Sequence, residues 1–421
     1  MSFLSMTPDD VAELLRKITT ARTHADTVKT DENLIALAKS QAEAAEAYLI
    51  LGETGESKNL FSFALDTLGQ VNRPETTADF YERIGKAFSR SGKYSDASGY
   101  FIEAVKIYET IPHDFPEGRN ALAGIYKNCA DSLMKTGRND DAIALLTRMR
   151  DMLKKGYENT SDLSDLIGWA DGVYYLGNAY GQYESYDVSL KLYEEAMTLY
   201  LSAERDYKTD TRRSVANCLI GIGGIFELRK DYDAALEKYE KALEINRQLA
   251  VKNDDEYSLK HLAASCTHTA ELYETMGYLV KALSLFREKA DVSLRLSKIK
   301  PVIEAPEVLF LTPPEDFFQR LERFESKLPW YSLLFEMDNP SRDKLYITYF
   351  TMGRLIEELA EKNKEPGLYP EALKLFETSD SILSMLAEEF PETEKEIKLR
   401  EIKSAVRRIR SLIMQGGNHD E

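Results

Sequence analysis

A small residue returns along this chain at Ala45, Gly85, Ala130, Gly177, Gly223, Ala270 and Gly353, in steps of 40, 45, 47, 46, 47 and 83 residues. The stretch after each of them repeats as well. After Gly85 come Gly92, Tyr94, Ala97, Phe101, Ala104 and Tyr108; after Gly177, Tyr180, Tyr186, Ser189, Tyr193 and Ala196; after Gly223, Phe226, Tyr232, Ala235, Tyr239 and Ala242. Weaker copies read Tyr48, Gly52, Phe61, Ala64 and Leu133, Gly137, Ala142, Leu146, with others at Tyr273, Gly277, Ala282, Phe286 and at Ile356, Tyr369, Ala372, Phe376. Self-similarity at such a period marks a repeat architecture, whose units cannot bury their apolar faces alone and stack on their neighbours. Within a unit the spacing is helical, and two helices approach to about 8–10 Å only where the side chains at their crossing are small. The frame therefore predicts helix pairs.

These residues resemble the tetratricopeptide repeat, whose unit is two antiparallel helices with small residues where the pair crosses and an aromatic filling the gap to the next unit. The likeness runs through about seven units, from Asp31 to Phe390. Gly69, Glu109 and Arg247 stand near the place where that family often has proline, and Ala130 and Ala270 replace its glycine. The short form of the repeat runs about 34 residues. The excess here, about 12 residues per unit at 1.5 Å rise, lengthens each helix by roughly 9 Å. The resemblance is to the extended, long-helix type, and it implies an all-α, right-handed superhelical solenoid.

The last step, 83 residues, exceeds one period by most of a second one. The excess falls at 300–343, which holds Pro301, Pro306, Pro313, Pro314, Pro329 and Pro340, six of the 13 prolines. Proline at this density breaks helices, although Pro314 heads one amphipathic stretch through Phe317, Phe318, Leu321 and Phe324. The insert also carries Phe310, Trp330, Tyr331 and Phe335. Side chains of this kind predict that it packs on the repeats. The expected organisation is a capping helix at 1–30, six repeats at 31–299, the insert at 300–343, a seventh repeat at 344–390, a capping helix at 391–415 and a disordered tail at 416–421. Thr7 and Pro8 open the first cap, ahead of a stripe of Val11, Leu14, Leu15 and Ile18. The last cap carries Ile397, Ile402, Val406 and Ile409 on one face.

Composition narrows the partner. With 54 Lys and Arg against 71 Asp and Glu, the net charge is −17, which disfavours nucleic acid and anionic membranes because both bind through basic charge. No apolar run approaches the roughly 20 residues of a membrane span, and the first ten residues lack a secretory signal, so the expected compartment is the cytoplasm. Cys129, Cys218 and Cys266 lie too far apart for a zinc motif and read as buried thiols. Gly221, Gly223 and Gly224 could suggest nucleotide binding, but they fall inside a repeat helix rather than between a strand and a helix. His268 and Glu271 have no second pair of metal ligands beside them, and no nucleophile motif is present. Neither a cofactor, a metal nor a catalytic residue is expected.

Binding information should sit on the first helix of each unit, on the face left free by packing. By the family's frame that face carries Asp79, Glu82, Lys86 and Arg90 in the second unit, and Lys127, Asp131 and Lys135 in the third. It carries Asp171, Tyr174, Asn178 and Gln182 in the fourth and Asn217 in the fifth, with acids such as Glu227, Glu271, Glu274 and Glu357 beyond. The cations Lys86, Arg90, Lys127 and Lys135 are candidates for a carboxylate or acidic side chain, and Tyr174, Asn178 and Asn217 for peptide backbone. Tetratricopeptide clamps for the acidic C-termini of chaperones need a Lys where Tyr174 stands and an Asn where Gly221 stands, with a Lys and an Arg at Ala264 and His268. That specialised function is disfavoured. The expectation is a non-enzymatic scaffold for a protein or peptide, with a peptide-sensing regulator of a protein target as the alternative and an unrecognised enzyme third. A fold supports many functions, so neither the partner nor the oligomeric state follows from it.

Overall fold

The computed structural model describes residues 8–112, 115–253, 255–296, 339–389 and 393–416. Among them all regular structure is helical: α1 (Pro8–Thr27), α2 (Asp31–Ile50), α3 (Thr54–Leu68), α4 (Pro74–Arg90), α5 (Tyr94–Tyr108), α6 (Pro116–Lys135), α7 (Asn139–Thr160) and α8 (Leu163–Gln182). The series continues with α9 (Tyr186–Tyr207), α10 (Arg212–Leu228), α11 (Tyr232–Asn253), α12 (Glu256–Thr275), α13 (Leu279–Leu296), α14 (Asn339–Asn363), α15 (Tyr369–Glu389) and α16 (Thr393–Gly416). A 3-10 turn, Pro366–Leu368, joins α14 to α15. None of these helices is long and apolar enough to cross a membrane.

The chain divides into two compact units, Met1–Gly221 and Ile222–Glu421. In the first, α1 packs on α2, the pairs α2/α3, α4/α5, α6/α7 and α8/α9 follow, and α2, α4, α6 and α8 are successive neighbours. In the second, α12/α13 and α14/α15 are pairs, α13 lies against α14, and α16 packs on α15.

The recurring small residue is where each pair closes. A Cβ on Gly85 would stand 2.7 Å from the Phe101 ring, one on Gly177 2.9 Å from Tyr193, one on Gly223 2.6 Å from Tyr239, and one on Gly353 3.0 Å from Phe376. A Cβ on Gly221 would also meet the Tyr193 ring, at 2.5 Å. The glycines of α10 thus serve packing. Ala45, Ala130 and Ala270 and the large residues sixteen positions after them, Phe61, Leu146 and Phe286, are all buried. The turn inside a pair needs one left-handed residue: Gly92 has φ of 71°, and behind it Lys93 N–H donates to the Phe88 carbonyl at 2.9 Å. Glu184 and Lys230 take that conformation in the α8–α9 and α10–α11 turns, at φ 57° and 62°.

A buried ion pair ties α6 to α8. Arg119 is 7% and Asp165 0% exposed, and the guanidinium meets the carboxylate twice, Nε to Oδ1 at 2.9 Å and Nη2 to Oδ2 at 2.5 Å. Thr160 Oγ1 donates to Oδ2 at 3.3 Å. Gly156 makes room, since a Cβ there would come within 2.5 Å of Arg119 Nε.

Several expectations change. Long helices hold for α6 to α9, of 20 to 22 residues, but α3 and α5 have only 15. The long step after Gly85 is taken up instead by the connection at 109–115. Leu15 is 40% exposed, because the buried line of α1 runs Val11, Leu14, Ile18, Ala21, Ala25 and leaves Leu15 about 80° to one side. Ile397 is 58% exposed. The core stripe of α16 is Ile402, Ala405, Val406 and Ile409, and five residues before Ile402 is about 140° round the helix. Helix α14 begins at Asn339, inside the segment read as insert, since Pro340 falls in a first turn where no amide hydrogen is needed. The aromatic load of the insert, the Pro314 helix, the Thr7 cap and residues 417–421 lie outside the described residues. All three cysteines are free and buried. Burial pushes the Cys129 and Cys218 thiols up to about 12.

Two outcomes are expected for stability. Gly85→Ala gains about 1 kcal/mol of helix propensity yet lowers the melting temperature, because Phe101 has nowhere to go, and Phe101→Leu in the same chain restores part of the loss. Asp165→Ala strands a buried guanidinium and costs about 3–5 kcal/mol in chemical denaturation, whereas replacing both partners by apolar residues recovers most of it.

Candidate partner-binding groove

The outward faces of α4, α6 and α8 carry most of the residues singled out by frame. Between α4 and α6 they border a cavity of about 520 Å³, lined by Asp79, Glu82, Lys86, Arg90, Asn128 and Asp131 among others. Adjacent first helices are also cross-linked there. Arg83 Nε meets Glu46 Oε1 at 2.7 Å from α4 to α2, and Asn128 Nδ2 donates to Glu82 Oε1 at 3.4 Å from α6 to α4.

Lys86 is brought to the cavity but already pairs with Glu82 at 2.7 Å, and Asp79 accepts the Tyr108 hydroxyl. Lys127 turns toward α8, its Nζ 5.1 Å from the centre of the Tyr175 ring. Lys135 is exposed at the end of α6. Tyr174 is half-buried between two rings, 5.4 Å from Tyr175 and 5.7 Å from Tyr193. Asn178 Oδ1 accepts the Tyr193 hydroxyl at 2.6 Å, which leaves its amide nitrogen as a donor. Asn217 is half-exposed on α10 and is not part of the α4–α6 cavity. Glu46, Arg83, Ser89, Asn128 and Phe101, which also line the cavity, escape the frame-based reading. A signal for some of these links exists, since Glu82 and Asn128, like Arg119 and Asp165, stand 46 residues apart, which is one repeat step.

Two carboxyls in this face are held above the usual carboxylate range. Burial raises Asp131, against the pull of Lys127 and Lys135. Burial also raises Asp171, against the Tyr200 hydroxyl it accepts and against Lys127. The groove acids of the second unit are differently placed. Glu227 accepts from Tyr239 at 2.7 Å, Glu274 pairs with Arg354, and Glu357 accepts from Nε and Nη2 of Arg408, each at 2.7 Å. His268 stacks on Tyr239, ring centres 5.7 Å apart.

Sequence comparison finds a tetratricopeptide-repeat model matching residues 219–252. The human alpha-soluble NSF attachment protein is 24% identical over 277 residues, which is 64% of this chain and 85% of that protein. Among solved structures, BtubC from P. vanneervenii shares 16% identity, covering 58% of this chain and 91% of its own, with a TM-score of 0.42. Aspartyl phosphate phosphatase F from Bacillus subtilis shares 12%, covering 78% and 72%, at 0.43.

Asp131 gives the site a pH signature. Its folded pKa is raised, so ionising it costs stability above that pKa and nothing below its unfolded value. Asp131→Asn should therefore raise the melting temperature at pH 7, and the gain should shrink as the pH is lowered toward 4. A gain that is the same at both values would contradict this account.

Proposed function

We propose that this chain, a tetratricopeptide-repeat protein, is a non-enzymatic adaptor that holds a protein or peptide partner on the faces of α4, α6 and α8. Lys86, Arg90, Lys127 and Lys135 engage a carboxylate or acidic side chains of the partner. Tyr174, Asn178 and Asn217 bond its backbone. One observation supports this above others: in a chain of net charge −17, Lys127 and Lys135 stand on one groove-facing helix and make no ion pair among the described residues. Cations focused in a groove raise the local concentration of an anionic ligand. Amide side chains beside them donate and accept at once, as an extended backbone requires. The attachment role in the name of the 24% identical human relative is of the same adaptor class. The cytoplasm, where Cys129, Cys218 and Cys266 stay reduced, is the compartment that suits it.

The test is affinity capture with quantitative mass spectrometry, followed by titration of the recovered partner against wild type and Lys127→Glu/Lys135→Glu. The double variant should bind at least tenfold more weakly, a change of about 1.4 kcal/mol, at a temperature where its circular dichroism shows it folded, since both lysines also offset the charge of Asp131. Unaltered affinity would place the binding surface elsewhere.

A further inference from the structure

Lys127, Asp131 and Lys135 occupy positions four apart on α6, so each stands about 6 Å along the axis and about 40° round the helix from the last, with about 12 Å from first to last. Their charges alternate: cation, anion, cation. Around them, polar groups are already matched, Lys86 with Glu82, Arg83 with Glu46, Tyr193 with Asn178 and Tyr200 with Asp171. Among the described residues these three side chains make neither a hydrogen bond nor a close ion pair; Lys127 lies over the Tyr175 ring and acts on Asp131 and Asp171 at longer range. Asp131 borders the α4–α6 cavity from α6, and Asp79, Glu82, Lys86 and Arg90 border it from α4. Burial disfavours its charge more than Lys127 and Lys135 favour it.

An extended chain presents same-face side chains every two residues, about 6.6–6.8 Å apart. Over three positions this departs from the α6 ladder by roughly 1–2 Å, within the reach of a flexible lysine stem. A helical ligand would match the spacing as well, but a segment of the few residues that three contacts need is too short to hold a helix in water, which leaves the extended form.

We infer that α6 reads an extended peptide segment of the order acid-x-base-x-acid, its central Lys or Arg entering the cavity toward Asp131 and its flanking carboxylates resting on Lys127 and Lys135. This rests on the adaptor reading above and names the ligand of the same face. The order is the same in both chain directions, so it specifies a charge pattern without a polarity. Alternation supplies discrimination as well as attraction, because a uniformly acidic segment sets its central carboxylate against Asp131.

The experiment uses the full chain and a set of eight Ser/Gly nonapeptides carrying Glu or Lys in every combination at positions three, five and seven, titrated by fluorescence anisotropy. Glu-x-Lys-x-Glu should bind at least tenfold more tightly than Lys-x-Glu-x-Lys. Lys127→Glu/Asp131→Lys/Lys135→Glu should reverse that preference. Should the triple variant fail to fold, Asp131→Asn alone carries the test, since it should abolish the discrimination between Glu-x-Lys-x-Glu and Glu-x-Glu-x-Glu. A wild-type preference for the all-Glu peptide overturns the alternating pattern while leaving an acidic partner in place. Equal affinity for all eight overturns it too, and failure of the adaptor reading is told apart by a recovered partner that Lys127→Glu/Lys135→Glu still binds.

Discussion

Each helix pair is set by a glycine or alanine on its first helix and a large residue on its second. Gly85 with Phe101, Gly177 with Tyr193 and Gly223 with Tyr239 leave no room for a methyl group between backbone and ring. Dispersion falls steeply with separation, so this contact fixes how close the helices come and hence where the next pair can dock. Gly221 of α10 also approaches the Tyr193 ring, so one aromatic needs glycine on two helices. The order of the first unit depends on these contacts more than on surface ion pairs, which are worth about 1 kcal/mol or less apiece.

The same rings connect the core to the groove. Where the large residue is tyrosine, its hydroxyl emerges beside the first helix and needs a partner, since an unmatched buried hydroxyl is costly. Tyr193 finds Asn178 and Tyr239 finds Glu227. Longer reaches follow the same rule, with Tyr108 donating to Asp79 and Tyr200 to Asp171, each 29 residues back along the chain. Burial and the neighbouring acids raise the pKa of both hydroxyls, which keeps them donors. Asp79, Asp171 and Asn178 are therefore positioned by the core even though they belong to the groove.

The pairing of helices was legible in the sequence because it depends on residue size at a fixed interval, and size is read directly. Five residues placed by frame, Asp79, Glu82, Lys86, Arg90 and Asp131, line one cavity for the same reason. Other features depend on where a helix begins or bends. Leu15 and Ile397 are apolar and near the expected stripe, but a helix buries the line it presents to its neighbour, and these two fall off that line. Ion pairs were hidden for a different reason. Arg83 with Glu46 and Arg119 with Asp165 join side chains 37 and 46 residues apart, and only the stacking of successive units brings them together. Given a repeat step of about 46 residues, complementary charges at that separation could have been sought.

Charged groups serve different ends in the two units. In the second, Glu274 and Glu357, which the sequence places in a groove, hold Arg354 and Arg408 between helices, and Glu371 holds Arg287. Burial lowers the pKa of Arg287 and raises that of Glu371, the mark of a pair retained despite its desolvation. In the first unit the comparable buried pair, Arg119 with Asp165, ties α6 to α8, and the adjoining face of α6 leaves Lys127, Asp131 and Lys135 unmatched. Asp131 is costly to keep ionised where it stands. Evolution commonly tolerates such a cost where a site needs it, and this one falls on a helix that cross-links to α4 and α8 hold in place.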